Sequence, residues 1–212
     1  MQKETVEEIF SRFSKQKPNP RVELNYINNF TLFISVVLSA QSTDKGVNKV
    51  TPALFKKADD PRKMLLLGEA ELKKHIKSIG LYNSKAKNII KACEIMVAEY
   101  DNKLPENFDD LRKLPGVGRK TANVLLNSLF GHETIAVDTH VFRVSNRIGL
   151  CATKTPDATE KELHKKIPDK WKKYAHHWLV LHGRYVCKAR KPLCSDCIIK
   201  SLCKFKNILS SI

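Results

Sequence analysis

The chain has 212 residues, enough to bury a sizeable core in one large domain or two small ones. Its 38 Lys and Arg against 22 Asp and Glu leave a net charge of +16, which favours a polyanion as partner, nucleic acid before membrane. The best apolar run, Phe30 to Ala40, contains serines and falls well short of the ~20 residues a membrane span needs, so a membrane protein is not expected.

Thr5-Val6-Glu7-Glu8 has capping-box spacing, and Val6, Ile9, Phe10 and Phe13 recur at helical period, so the chain opens on an amphipathic helix that Pro18 and Pro20 stop. The charged start lacks the apolar stretch of an export signal, which points to the reducing cell interior, cytoplasmic and nucleoid-associated. Phe30 to Ala40 reads as a buried helix. Gln41-Ser42-Thr43-Asp44 is a polar break that caps a helix from Lys45 to Lys57. Asp60-Pro61 starts a short helix ending at Gly68, Glu69 to Lys77 forms another, and Gly80 stops it. Ser84 to Tyr100 is a long helix with Ile89, Ile90, Cys93, Met96, Val97 and Tyr100 on one face.

Asn107 caps the next, short helix, with Asp109 and Asp110 at its positive end, and Pro115 terminates it. Gly116 and Gly118, on either side of Val117, then allow a tight turn whose backbone N–H groups face outward before a helix from Lys120 to Phe130. Such a helix–turn–helix is a phosphate clamp, and Arg119 and Lys120 add two cations beside it. Further helices run from Asp138 to Ile148, from Thr155-Pro156, and from Pro168-Asp169 to about Tyr185. No alternating strand pattern persists and no flexible linker or repeat is present, so the fold class is all-α.

Cys187, Cys194, Cys197 and Cys203 follow in the spacing C-x6-C-x2-C-x5-C, and thiols that close in a reducing compartment point to a metal site rather than to disulfides or unliganded cysteines. Only one pair is a C-x2-C knuckle, which favours a [4Fe–4S] cluster over zinc on spacing while leaving both open. Cys93 and Cys151 read as packing thiols.

Leu114-Pro-Gly-Val-Gly-Arg-Lys-Thr-Ala-Asn-Val, followed by Val137-Asp138-Thr139-His140-Val141 and the cysteine spacing, resembles the endonuclease III family of helix-hairpin-helix DNA glycosylases, over essentially the whole chain. The resemblance implies iron as the metal. It implies two lobes, a helical barrel over 22–132 holding the hairpin and a cluster domain made of 1–21 with 133–212. It also implies that the cluster shapes a basic loop, Lys188, Arg190 and Lys191, that touches DNA.

A lysine attacks a sugar carbon only as the neutral amine, and with a pKa near 10.4 few lysines are neutral at pH 7. Lys120 in the first turn of a helix and beside Arg119 is expected to have that pKa depressed, as a Schiff-base lysine requires, and partial burial would push the same way. By resemblance Lys120 is the nucleophile and Asp138 the carboxylate that stabilises positive charge on the deoxyribose; Asp138 also suits an N-cap. His140 is expected to pack or touch phosphate rather than catalyse. A flipped base leaves a hole in the duplex, and Gln41 and Leu81 resemble the family's fillers, with Gly116, Val117, Gly118 and Arg119 gripping the backbone. Asp44 is a further candidate for the base pocket.

The expected activity is therefore that of a bifunctional glycosylase and abasic-site lyase that removes oxidised pyrimidines from duplex DNA as a monomer, through a lysine imine and β-elimination. Two alternatives stay open: a mismatch thymine or uracil glycosylase of the same fold, and a non-catalytic helix-hairpin-helix protein that binds DNA or senses redox state. Lys120 together with Asp138 argues against the second.

Overall fold

The computed structural model describes residues 1–205; residues 206–212, the end of the expected cluster domain, lie outside them. All regular structure among the described residues is helical: α1 (Lys3–Gln16), α2 (Asn29–Ser39), α3 (Asp44–Phe55), α4 (Pro61–Ile76), α5 (Tyr82–Glu99), α6 (Phe108–Lys113), α7 (Arg119–Phe130), α8 (Thr139–Ile148), α9 (Pro156–Lys166), α10 (Asp169–Tyr185) and a 3₁₀ turn at Lys200–Leu202. The chain divides into two compact units, Val22–Phe130 and Met1–Arg21 with Gly131–Ile212.

The first of these units is built around α2. Every residue from Phe30 to Leu38 is buried, so α2 has no polar face and is enclosed by α3, α5 and α7. Its start is set by a reciprocal cap. The Asn28 side chain accepts the Thr31 N–H at 2.9 Å while the Thr31 hydroxyl accepts the Asn28 N–H at 2.8 Å. Thr43 caps α3 by accepting the Gly46 N–H at 3.1 Å, and Asp60 caps α4 with Pro61 in its first turn. The break expected at Gly68 is a kink within α4, where Gly68 adopts φ +77.

In the other unit α1, α8, α9 and α10 surround a core that includes Ile9, Phe10, Val144, Leu163, Trp178 and Leu179. Trp178 stands 6.1 Å from Phe10 and donates its indole N–H to the Lys17 carbonyl at 2.8 Å, which ties the end of α1 to α10. At Gly183 a Cβ would meet the His140 Cβ at 2.9 Å and Val144 Cγ2 at 3.0 Å, so α8 and α10 approach each other closely only because a glycine stands there.

Two sequence expectations are corrected. Thr5 does not cap α1: the helix starts at Lys3, with the Gln2 carbonyl accepting the Val6 N–H at 3.2 Å, so the capping-box spacing lies inside the first turns. On α5 the buried stripe is Lys85, Ala86, Ile89, Ala92, Cys93 and Met96, whereas Ile90, Val97 and Tyr100 are only half-buried. The stripe is placed by packing against α2 and α4, and it admits small residues and one lysine.

Candidate functional site

The hairpin is built from α6 and α7. The Asn107 side chain accepts the Asp110 N–H at 2.9 Å, and α6 ends at Leu114, whose carbonyl accepts the Val117 N–H at 3.0 Å. Gly116 takes φ +88, and a Cβ there would lie 3.4 Å from the Asn88 Cβ and 3.6 Å from Val37 Cγ1, so the turn rests on α5 and α2. Nothing lies within 4 Å of a Cβ built at Gly118, so that side of the turn is open.

Val117 differs from the expectation. Its side chain is buried and its N–H is committed to Leu114, so it anchors the turn instead of offering an outward donor. The donors left to meet an anion are those of the first turn of α7, which no intrahelical carbonyl can reach. Arg119 and Lys120 open that turn and are exposed. The Arg119 guanidinium lies 5.4 Å above the Phe108 ring, which holds it near the turn. Lys120 is exposed in that first turn, beside Arg119 and the helix N-terminus.

Gln41 and Leu81 come from two loops of the same unit, and both are exposed, Leu81 by 58 %. Both also adopt left-handed backbone, φ +54 and +59, which non-glycine residues seldom do. The loops touch: a Cβ at Gly80 would lie 3.4 Å from the Gln41 carbonyl oxygen and 3.6 Å from Ser42 Oγ. Beneath them is Lys85, only 6 % exposed, whose Nζ donates to the carbonyls of Leu38 at 2.8 Å and Ala40 at 2.6 Å and to Ser42 Oγ at 3.2 Å. Burial lowers the pKa of this amine. Sequence reasoning missed Lys85, although its position in register with Ile89, Cys93 and Met96 marks a lysine at the head of an apolar stripe. Asp44 lies in the first turn of α3, half-buried.

In the other unit Asp138 is half-buried and caps α8, its Oδ1 accepting the Val141 N–H at 2.8 Å. The cap takes one oxygen, so the second is the one that can face a ligand. His176, buried in α10, has Nδ1 2.7 Å from the Ala136 carbonyl and so fixes the segment leading into Asp138. His140 packs at the close α8–α10 approach, with Nδ1 3.2 Å from Arg143 Nη2.

The cysteine loop follows α10. Cys187 is buried and Cys194, Cys197 and Cys203 are half-buried, whereas Lys188, Arg190 and Lys191 are exposed between them. Two arginines of α8 hold the beginning of the loop. Arg147 donates to the carbonyls of Lys188 at 2.7 Å and Ala189 at 2.9 Å, and Arg143 to those of Gly183 at 2.8 Å and Cys187 at 3.2 Å. Arg12 of α1 holds the far end, donating to the Ile198 carbonyl at 2.9 Å. Ile199, fully buried, gives the loop a hydrophobic anchor of its own.

The donor set suits an iron–sulfur cluster. Burial pushes the thiols of Cys197 and Cys203 up, and Cys187 and Cys194 push both further the same way, so the thiols sense one another electrostatically. Donors already face two of the sulfurs: Arg147 lies 3.9 Å from Cys187 Sγ, and the Phe205 N–H donates to Cys203 Sγ at 3.4 Å.

Comparison with known proteins agrees with this geometry. The family model described as HhH-GPD superfamily base excision DNA repair protein matches residues 34–169, and that of the iron-sulfur binding domain of endonuclease III matches residues 187–203. The chain is 59 % identical to an endonuclease III of Rickettsia conorii over 97 % of its own length and 98 % of the relative's. It is 52 % identical to the endonuclease III of Escherichia coli over 94 % of each chain. A solved structure of a trapped endonuclease III–DNA covalent intermediate superposes with a TM-score of 0.90 at 44 % identity, covering 96 % of both chains. The chain therefore belongs to the endonuclease III family, within the HhH-GPD superfamily of base excision DNA repair proteins.

Proposed function

We propose that Lys120 is the nucleophile and Asp138 the charge-stabilising carboxylate of this bifunctional DNA glycosylase and abasic-site lyase. The observation that carries the assignment is Lys120 itself: an exposed amine in the opening turn of α7, directly behind a glycine hairpin whose open side suits a phosphate backbone. The lysine Nζ attacks C1′ of the damaged nucleotide and the C1′–base bond breaks, the base leaving with the bonding pair. Negative charge from Asp138 lowers the energy of the sugar as it becomes cationic. Ring opening gives an imine between Nζ and C1′, loss of the 2′ proton expels the 3′ phosphate, and hydrolysis returns the free lysine.

Oxidised pyrimidines are the substrate class, extruded from the duplex, with Gln41 and Leu81 entering the space they leave. Gly116, Gly118 and Arg119 grip the backbone, with Val117 holding the turn in place. Cys187, Cys194, Cys197 and Cys203 hold the [4Fe–4S] cluster, which fixes the loop carrying Lys188, Arg190 and Lys191. No helix among the described residues is long and apolar enough to cross a membrane, and the reading places the protein on the nucleoid in the cytoplasm, working as a monomer.

The test is incubation with duplexes that each carry one damaged base, borohydride trapping, and mapping of the cut ends. Trapping on oxidised-pyrimidine duplexes is expected for the natural sequence and its loss for Lys120→Gln, which keeps an exposed polar side chain but no amine. Trapping of Lys120→Gln at the natural rate would assign the imine to another amine. Preference for mismatched thymine or uracil would favour the related mismatch activity.

A further inference from the structure

The buried amine of Lys85 is bonded within the protein on every side that the structure records, yet what it bonds is not core. Its acceptors are the carbonyls of Leu38 and Ala40 and the hydroxyl of Ser42, so they flank the exposed Gln41. The backbone N–H of the same residue donates to the Leu81 carbonyl at 3.0 Å, in the first turn of α5. One residue thus grips the loop of Gln41 through its side chain and the loop of Leu81 through its backbone.

Both loops need a grip. Gln41 and Leu81 each adopt the left-handed backbone conformation at a cost that only surrounding structure can sustain. For Leu81 part of that structure is local, since the Ser84 hydroxyl also donates to its carbonyl at 3.0 Å. For Gln41 the carbonyl of the preceding residue, Ala40, is held by the 2.6 Å bond from Lys85. A charged donor bonded to neutral acceptors in a site closed to water forms strong hydrogen bonds, and their loss would leave the Leu38 and Ala40 carbonyls without this partner. An aliphatic side chain of similar length would fill the space without setting the peptide orientation at position 41.

We propose that Lys85 is a positioning residue that presents Gln41 and Leu81 to the duplex as one rigid pair, and so sets the efficiency of base extrusion rather than of strand cleavage. This rests on the reading of Gln41 and Leu81 as the residues that fill the vacated space. Extrusion precedes base removal, whereas a preformed abasic site has no base to extrude. Loss of Lys85 therefore burdens the first reaction more than the second, while general damage to the unit would burden both alike.

The experiment compares single-turnover base removal from a duplex containing an oxidised pyrimidine with lyase cleavage of a preformed abasic site, for the intact protein and for Lys85→Met. Base removal is expected to fall about 10-fold or more, the scale of effect of a small misplacement, and lyase cleavage by less than about 3-fold. Gln41→Ala and Leu81→Ala are the controls. If neither control shifts the ratio of the two rates, the reading of those two residues fails, and the proposal with it. If they shift it and Lys85→Met does not, or Lys85→Met lowers both rates equally, Lys85 is structural only and the proposal alone is overturned. Should Lys85→Met not fold, Ser42→Ala decides, since it removes one of the three acceptors: a smaller shift in the same ratio supports the proposal, and an unchanged ratio overturns it.

Discussion

The Asp138 carboxylate accepts the Val141 N–H at 2.8 Å, so one side chain both starts α8 and supplies the charge assigned to catalysis. The two roles separate by substitution. Asparagine caps as well as aspartate, so Asp138→Asn should keep the melting temperature while base removal slows by about 10²-fold or more. Asp138→Ala should show the same kinetic loss and also destabilise the protein by about 1 kcal/mol. Thermal melts with single-turnover kinetics check both. Base removal by Asp138→Asn at the natural rate would take the carboxylate out of the mechanism.

The purified protein is expected to be brown, with about four iron atoms per chain. Cys197→Ser should lose iron and bind DNA more weakly. Its helical circular dichroism should persist at room temperature, because Ile199 and the bonds from Arg12 and Arg147 hold the loop to the core without the metal. Stoichiometric zinc and no iron after anaerobic preparation would contradict the cluster.

Affinity for undamaged duplex should fall steeply with salt. If about five phosphates are neutralised, log Kobs against log[salt] has a slope near −4.5. Changing the exposed Lys188, Arg190 and Lys191 together to Ala should reduce the magnitude of that slope by about 2 to 3, with lesion preference unchanged, because backbone contacts position and base contacts specify. Titrations at several salt concentrations measure it. An unchanged slope would turn this loop away from DNA.

His177 gives the protein an acid-sensitive point. Burial, with His176 beside it, lowers its pKa to about 3. Between the unfolded value of 6.5 and about 3 the unfolded chain binds the proton and the folded chain does not, so this group makes stability fall as pH falls. The slope is at most about 1.4 kcal/mol per pH unit, and its contribution is fully present above pH 6.5. Urea denaturation at pH 7 and pH 5 should show a smaller loss for His177→Gln than for the natural sequence. Equal losses would mean the unfolded chain gains no proton here relative to the folded one.

The local order of the chain was legible in its sequence, because local chemistry decides it. Asn107, Thr43 and Asp60 cap the helices that follow them, Gly68 breaks α4, and Gly116 makes the hairpin turn, each through bonds or torsions spanning a few residues. The spacing of the four cysteines announced a metal loop for the same reason. Tertiary structure decided what short-range patterns do not encode. The Val117 side chain is buried and its N–H is bonded to the Leu114 carbonyl, whereas Lys120, three residues on, is exposed. Arg12, 186 residues before Ile198, reaches the cysteine loop only in the folded unit. Lys85 is the clearest case: its three side-chain acceptors lie 43 to 47 residues earlier in the chain. No window of sequence holds both the lysine and the carbonyls, so only packing of α5 against α2 turns a surface-type residue into the support beneath Gln41.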